Sequence, residues 1–260
     1  MNYETILCEV QDRVATVTLN RPQAMNTLNE QMAIDLAQCF EALHKTNVQI
    51  VVLQGAEKVF SAGGDIKEML GTTGEGFDTE SVMAYITRAI KAWYTLPAVT
   101  VAAVHGAAAG IGLSLALACD YVLTEQHAKL AMNFIGIGLI PDGGGHFFMK
   151  ERVGAVKAKQ MIWEGRMMEG QEAVEWDLAD IVVEDGKIRE VTAQFVEQQL
   201  QTPLLAKIET KKLLNGTQLD KLERYLAFEG RVQPQMRQTK DHLEGIQAFV
   251  EKRQPVFKGE

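Results

Sequence analysis

Three short segments of this chain are apolar almost without interruption and rich in β-branched residues: Gln49 to Leu53, Val99 to Val104 and Tyr121 to Leu123. A strand of that kind has no side to offer water, so it must be covered on both faces, which in practice means a largely parallel sheet flanked by helices. Arg13 to Leu19 reads differently. Ala15, Val17 and Leu19 alternate with polar neighbours, predicting a strand with one buried face that stops at Asn20-Arg21-Pro22. Met32, Leu36, Phe40 and Leu43 then recur at helical spacing, and Thr27-Leu28-Asn29-Glu30 has the spacing of a capping box at the start of that helix. Strands alternating with helices predict an α/β core built from repeated crossovers. From Ile188 onward the pattern is helical and richly charged. The chain is therefore divided into an α/β core, residues 1–203, and a helical C-terminal region, residues 204–260, with no linker between them.

Bulk properties narrow the function classes. With 260 residues, 47% hydrophobic and 23% charged, the chain can bury a sizeable core. A net charge of −8 leaves no basic excess for nucleic acid or for an anionic membrane. The longest apolar-rich run, Val99 to Leu123, is interrupted by His105, Gly106, Gly110, Gly112 and Asp120, so it predicts a buried strand, turn and helix, not a membrane span. The opening MNYETILCEVQDR has neither a basic start nor an apolar stretch of the secretory kind, and the expectation is a cytoplasmic protein. Cys8, Cys39 and Cys119 sit at no metal-like spacing and predict reduced core residues; no metal site is expected.

Three glycine clusters follow or join apolar segments: Ser61-Ala62-Gly63-Gly64-Asp65, His105 to Gly112, and Pro141-Asp142-Gly143-Gly144-Gly145. Glycine lets the backbone take positive φ and lets a ligand approach the main chain. A helix starting just after such a turn offers unpaired amide hydrogens. Two such turns facing one another could hold an oxygen that gains negative charge, each donor being worth about 3 kcal/mol in a transition state. Any one cluster alone is more often a tight turn. None has the pattern of a phosphate-cradling loop.

In sequence order, Arg21-Pro22 with Asn26-Thr27-Leu28, then Lys58 to Ile66 (KVFSAGGDI), then Gly106 to Asp120, then Gly138-Leu139-Ile140-Pro141, and finally Ala248 to Phe257 resemble the enoyl-CoA hydratase/isomerase (crotonase) family over essentially the whole chain. The resemblance implies a crotonase (ClpP-like) fold, with repeated ββα units in a spiral core and a C-terminal helical trimerisation region. It implies an acyl-CoA substrate, with coenzyme A entering as part of that substrate and no separate cofactor, and a homotrimer or homohexamer. It places the oxyanion-hole amides on Gly64 and Ile111, the second at a position usually glycine. Lys58, Ala62 and Ile66 match contacts to the CoA adenine and pantetheine. Phe249 and Lys252 match a C-terminal pair that closes over CoA.

The catalytic acids depart from the hydratase pattern. The two positions that carry glutamate in a hydratase fall on Ser114 and Phe134, which, with Leu139, are expected to line the pocket. Hydration needs two groups to place and deprotonate a water while a proton is delivered. Serine without a partner is no general base, and phenylalanine cannot act. One carboxylate remains: Asp142, in a stretch resembling that of the 1,2-epoxyphenylacetyl-CoA isomerase type. An apolar surrounding would raise its pKa into a useful range; the competing reading is a turn aspartate capping the next helix. The favoured expectation is an enoyl-CoA double-bond isomerase with Asp142 as its one acid/base. A hydratase of unorthodox design, an epoxide-to-oxepin isomerase and a non-catalytic acyl-CoA-binding homologue stay open. Structural roles are expected for His105 and His146, capping roles for Asp65 and Glu68, and core positions for Met167, Met168, Trp163 and Trp176.

Overall fold

A computed structural model describes residues 3–71 and 79–260; the predicted core segment 1–203 therefore includes two stretches outside the described residues. Strand β1 (Ile6–Gln11) turns back antiparallel onto β2 (Val14–Leu19), and helix α1 (Glu30–Leu43) follows. Next come β3 (Ile50–Gly55), the short α2 (Ile66–Gly71), α3 (Thr79–Tyr94), β4 (Val99–Val104), β5 (Ala107–Ala109) and α4 (Ile111–Leu117). They are followed by β6 (Tyr121–Glu125), β7 (Lys129–Ala131), α5 (Gly145–Val153), α6 (Ala155–Glu164), β8 (Met167–Glu169), α7 (Gly170–Glu175) and β9 (Ile181–Val183). Three helices close the chain: α8 (Ile188–Leu200), α9 (Leu204–Met236) and α10 (Lys240–Glu251).

The main sheet has the order β1-β2-β3-β4-β6-β9, parallel from β2 onward. A second sheet, β5-β7-β8, stands beside it. Each main-sheet strand from β4 to β6 is thus followed by a strand of the second sheet and then a helix, and Ser61 after β3 joins that second sheet through a bridge to Ala108. The continuously apolar segments behave as their composition requires. Val51 and Leu53 of β3 face one hydrophobic core with Ala102 and Val104 of β4, while Ile50, Val52, Val99 and Val101 face the other, which α8 covers.

The N-terminus of α1 differs from expectation. The helix begins at Glu30 with Asn29 as its cap, whose Oδ1 accepts from the Met32 N–H at 3.0 Å. Thr27 cannot start the helix because Leu28 is engaged in a bridge: its N–H donates to the Gly63 carbonyl at 2.8 Å and its carbonyl accepts from Asp65 N at 3.0 Å. The Thr27 hydroxyl instead donates to Asp65 Oδ2. Among the predicted core positions, Met168 is buried, but Trp163 and Met167 are 65% and 59% exposed, and Trp176 is a half-buried ring under the Arg166 guanidinium. Trp163 lies at the end of α6, on its outward side, so bulk alone did not carry it inward. Cys39 and Cys119 are buried, Cys8 is half-buried, and all three are free thiols.

Helix α9 begins at Leu204 and follows another helix, α8, and it is not separately packed. Leu222 and Leu226 of α9 belong to the same hydrophobic core as β2, α1 and α3. Pro234 lies inside α9. Among the described residues no helix is long and apolar enough to cross a membrane.

Candidate active site

The first glycine turn is held from both sides. Asn26 Nδ2 donates to the Ala56 and Val59 carbonyls at 2.9 and 2.8 Å, and the Ser61 hydroxyl donates to the Asn26 carbonyl at 2.8 Å. Arg21 pairs with Asp65 at 2.9 Å and donates to the Thr27 carbonyl at 2.7 Å. The Arg21 to Leu28 stretch is therefore a clamp, and Asp65 also caps α2, its Oδ1 accepting from Lys67 and Glu68 N–H groups. The clamp presses the turn against the start of α4. Gly63 has φ +105°, and a Cβ there would sit 3.1 Å from the Ala109 carbonyl oxygen, so only glycine fits without strain.

Gly64 and Ile111, one from each turn, line a single cavity of about 280 Å³. Among the described residues neither amide hydrogen meets a protein acceptor, although the neighbouring amides of Gly63, Asp65 and Gly110 are all bonded. Two free backbone donors in one wall are suited to an oxygen on which negative charge develops.

The same cavity carries a carboxyl. Asp142 is 8% exposed and sits in the third glycine cluster, close behind Ile111: a Cβ at Gly143 (φ +62°) would lie 3.1 Å from Ile111 Cγ1. Its Oδ2 accepts from Gln233 Nε2 at 2.9 Å, while its Oδ1 is buried without a partner. Burial pushes its pKa from the ordinary 3.8 up to about 7; the hydrogen bond from Gln233 opposes the rise, Glu229 adds to it, and His146 and Arg237 oppose it. Its side chain makes no helix cap, and the α5 N-cap is Gly144 with no side-chain cap bond. Gly144 N donates to Glu229 Oε2 at 2.8 Å, and His146 shares Glu229 Oε1 at 2.8 Å.

Of the residues singled out from sequence, Gly64, Ala62, Ile66, Ile111, Phe134, Leu139, Asp142 and Phe249 line the cavity together. Ser114, Lys58 and Lys252 do not. Ser114 is fully buried behind the wall, its hydroxyl donating to the Asp142 carbonyl at 2.7 Å. Lys58 and Lys252 are exposed. His105 has the structural role expected, its Nε2 against the Glu57 carbonyl at 3.0 Å. Asp142 is not the sole carboxylate of the cavity: Asp65, Glu68 and Glu164 also line it. Asp65 is committed to Arg21 and to α2, and Glu164 lies exposed at the rim. Glu68 is held above the ordinary carboxylate range by burial and by Asp65, with Arg21 opposing.

Sequence reading missed Glu229, Gln233 and Arg237. The first two are buried on α9, and Arg237 is the residue that ends that helix. Arg237 lines the cavity with its pKa lowered by burial, against the pull of Asp142 and Glu68. The signal was present. Leu222, Leu226, Glu229 and Gln233 recur at core spacing along one helical face, so two polar residues continue an apolar stripe. A buried polar residue in such a stripe has a partner to serve.

Comparison with known proteins bears on this geometry. A family profile described as Enoyl-CoA hydratase/isomerase matches residues 9–260. The Bacillus subtilis (strain 168) protein YhaR, whose name gives both hydratase and isomerase, is 46% identical over 244 residues, covering 94% of this chain and 95% of its own. The 1,2-epoxyphenylacetyl-CoA isomerase of Escherichia coli K12 is 31% identical over 259 residues, 98% of this chain and 99% of that protein. The crystal structure of an enoyl-CoA hydratase from Mycobacterium avium subsp. paratuberculosis K-10 superposes with a TM-score of 0.89 at 31% identity, covering 99% of this chain and 100% of that one.

Proposed function

Because this chain belongs to the enoyl-CoA hydratase/isomerase family and has its crotonase fold, we propose that it moves a double bond along an acyl-CoA thioester instead of adding water across it. The observation that carries this reading is Asp142: one carboxyl, buried in the cavity wall, with a pKa near 7 and one unpartnered oxygen. A base of that pKa is half ready at neutral pH both to take and to give a proton. Phe134 and Ser114 support the same reading. The first offers no polar group, and the second is turned away behind the wall.

The step follows from these parts. The substrate carbonyl oxygen sits against the Gly64 and Ile111 amides. Asp142 removes a proton from C2 of a 3-enoyl thioester, and the electron pair spreads into a dienolate whose charge the two amides stabilise. The same carboxyl returns the proton to C4, leaving the double bond between C2 and C3. Val82, Met83 and Ile86 of α3 give the acyl chain an apolar side. Ala62, Ile66 and Phe249 meet the pantetheine end, with Lys58 and Lys252 placed outside for the nucleotide phosphates. The enzyme works as a cytoplasmic trimer or hexamer; Leu205, Leu213 and Leu214, each at least 60% exposed along α9, support such contacts.

The test is to incubate the purified protein with a 3-enoyl-CoA and follow conjugated 2-enoyl-CoA by absorbance and product mass. Isomerisation leaves the mass unchanged. A product heavier by one water, or an Asp142→Asn variant with full activity, sinks the reading. A monomer in gel filtration sinks the assembly.

A further inference from the structure

Two buried oxygens in the cavity wall lack a hydrogen-bond partner: Oδ1 of Asp142 and Oε1 of Gln233. They belong to residues already joined, since Gln233 Nε2 donates to Asp142 Oδ2 at 2.9 Å. The amide orientation is fixed, because the same Nε2 also donates to the Ile140 carbonyl at 2.9 Å, and a flipped amide would set Oε1 against that oxygen. Carboxyl and amide are each left with one unused acceptor. A carboxylate cannot serve another acceptor, whereas a carboxylic acid can, because protonation turns one oxygen into a donor. One proton on Asp142 Oδ1, donated to Gln233 Oε1, satisfies both atoms at once. Among the described residues the other two buried unpartnered side-chain atoms, on Trp93 and Thr192, belong to residues that do not line the cavity.

We propose that Gln233 is the positioning residue of the proton shuttle: its Nε2 anchors Oδ2 of Asp142, and its Oε1 receives the proton that the acid form carries on Oδ1, so that one amide holds the carboxyl in both protonation states. The inference rests on Asp142 being the acid/base. When the C2–H bond breaks, an O–H bond forms on the Asp142 carboxyl and the electron pair of C2–H passes to the dienolate. When that O–H bond breaks, C4–H forms, and no other reactant is consumed. Between the two events the proton is held toward Gln233. The pKa of about 7 keeps a substantial acid population at neutral pH. The charged groups that act on Asp142 are Glu229 from α9, Arg237 at the end of that helix and His146 from α5, and Glu68 from α2 acts on Arg237. A neutral substitution at position 233 leaves all of them in place.

The experiment compares the native enzyme with Asp142→Asn and Gln233→Met, the latter close to glutamine in length and neutral but without its polar end. Infrared difference spectra across pH follow the carbonyl band of the Asp142 acid, and turnover in deuterated water follows the origin of the returned hydrogen. The band is expected in the native enzyme, absent in D142N and shifted to higher frequency in Q233M, where the acid has lost its acceptor. For Q233M, kcat is expected to fall roughly 10- to 100-fold, with KM within about twofold of native and a larger share of product carrying solvent deuterium. A Q233M band at the native frequency with an unchanged deuterium share overturns the proposal, whatever its kcat. Should Q233M fail to fold, Gln233→Glu takes its place: two carboxyls sharing a proton are expected to move the acid limb of the pH–rate profile upward, and an unmoved limb overturns the proposal. A fully active D142N removes the isomerase reading itself, an outcome distinct from either of these.

Discussion

Two of the groups given roles in the proposed reaction are backbone amides, those of Gly64 and Ile111, set by two turns that bridge each other directly through Ser61 and Ala108. The third is a side chain, Asp142, whose surroundings are set by α9 residues about 90 positions away, Gln233 at a separation of 91 and Glu229 at 85 from Gly144. Backbone amides need only correct chain geometry and do not titrate. The carboxyl needs burial, a donor and a balance of charges, and its protonation changes near the pKa those produce. The same cavity thus joins a component that cannot be titrated to one that is tuned by titration.

The sharpest way to break the contrast is to remove the tuned component alone. Asp142→Asn is expected to lower kcat about 10²- to 10⁴-fold with KM little changed, the size of a lost acid/base. Steady-state kinetics on a 3-enoyl-CoA measure it. The same variant should gain stability. The folded pKa of about 7 lies above the ordinary 3.8, so the native state holds a proton that the unfolded chain releases, and stability falls as pH rises from about 4 to about 7. That rise corresponds to a ceiling of about 4 kcal/mol. D142N should therefore melt above the native enzyme at pH 8 and close to it at pH 4, and calorimetry at both pH values checks this.

The untitratable wall is tested by Ile111→Pro. Position 111 is the first of α4, where proline is tolerated; the change removes the N–H and part of a buried side chain, so Ile111→Ala, which keeps the amide, is the control. A fall in kcat of about 10²- to 10³-fold is expected, with the pH profile unmoved. Glu229→Gln reaches the acid from α9. Glu229 raises the Asp142 pKa, so removing its charge should move the acid limb of the pH–rate profile to lower pH. Ser114→Ala is the mildest change. Losing one hydrogen bond to the Asp142 carbonyl should cost about 1 kcal/mol in a denaturation midpoint, with kcat near native; a large loss of kcat would return Ser114 to the chemistry.

The contrast also explains what could be read from the chain alone. The parallel sheet followed from runs such as Gln49 to Leu53 because two-sided burial leaves no polar alternation, and the turns followed from glycines whose φ no other residue takes easily. Asp142 stood out through the family resemblance, because the two positions that carry glutamate in a hydratase hold Ser114 and Phe134 and its own stretch resembles that of the isomerase type. Thr27 misled because the capping pattern is local, while the bridge between Leu28 and Gly64 that displaces the helix start is not. Ser114 was expected to line the pocket because its position in sequence says nothing of which way a buried hydroxyl turns. Gln233 and Glu229 were passed over because a charged helix reads as a solvated one until its apolar stripe is followed past Leu226.

The sharing of one core between Leu222, Leu226 and the α/β sheet has a consequence for how such a chain can be divided or recombined. A cut at residue 203, natural by composition, would separate the acid from the amide that steadies it. A chimera that borrowed residues 204–260 from a relative would replace Gln233 while keeping Asp142, and so would change the only side-chain hydrogen bond shown to that carboxyl among the described residues. On the proposed reading, an exchange of activity between relatives has to move both ends of the Asp142–Gln233 pair together.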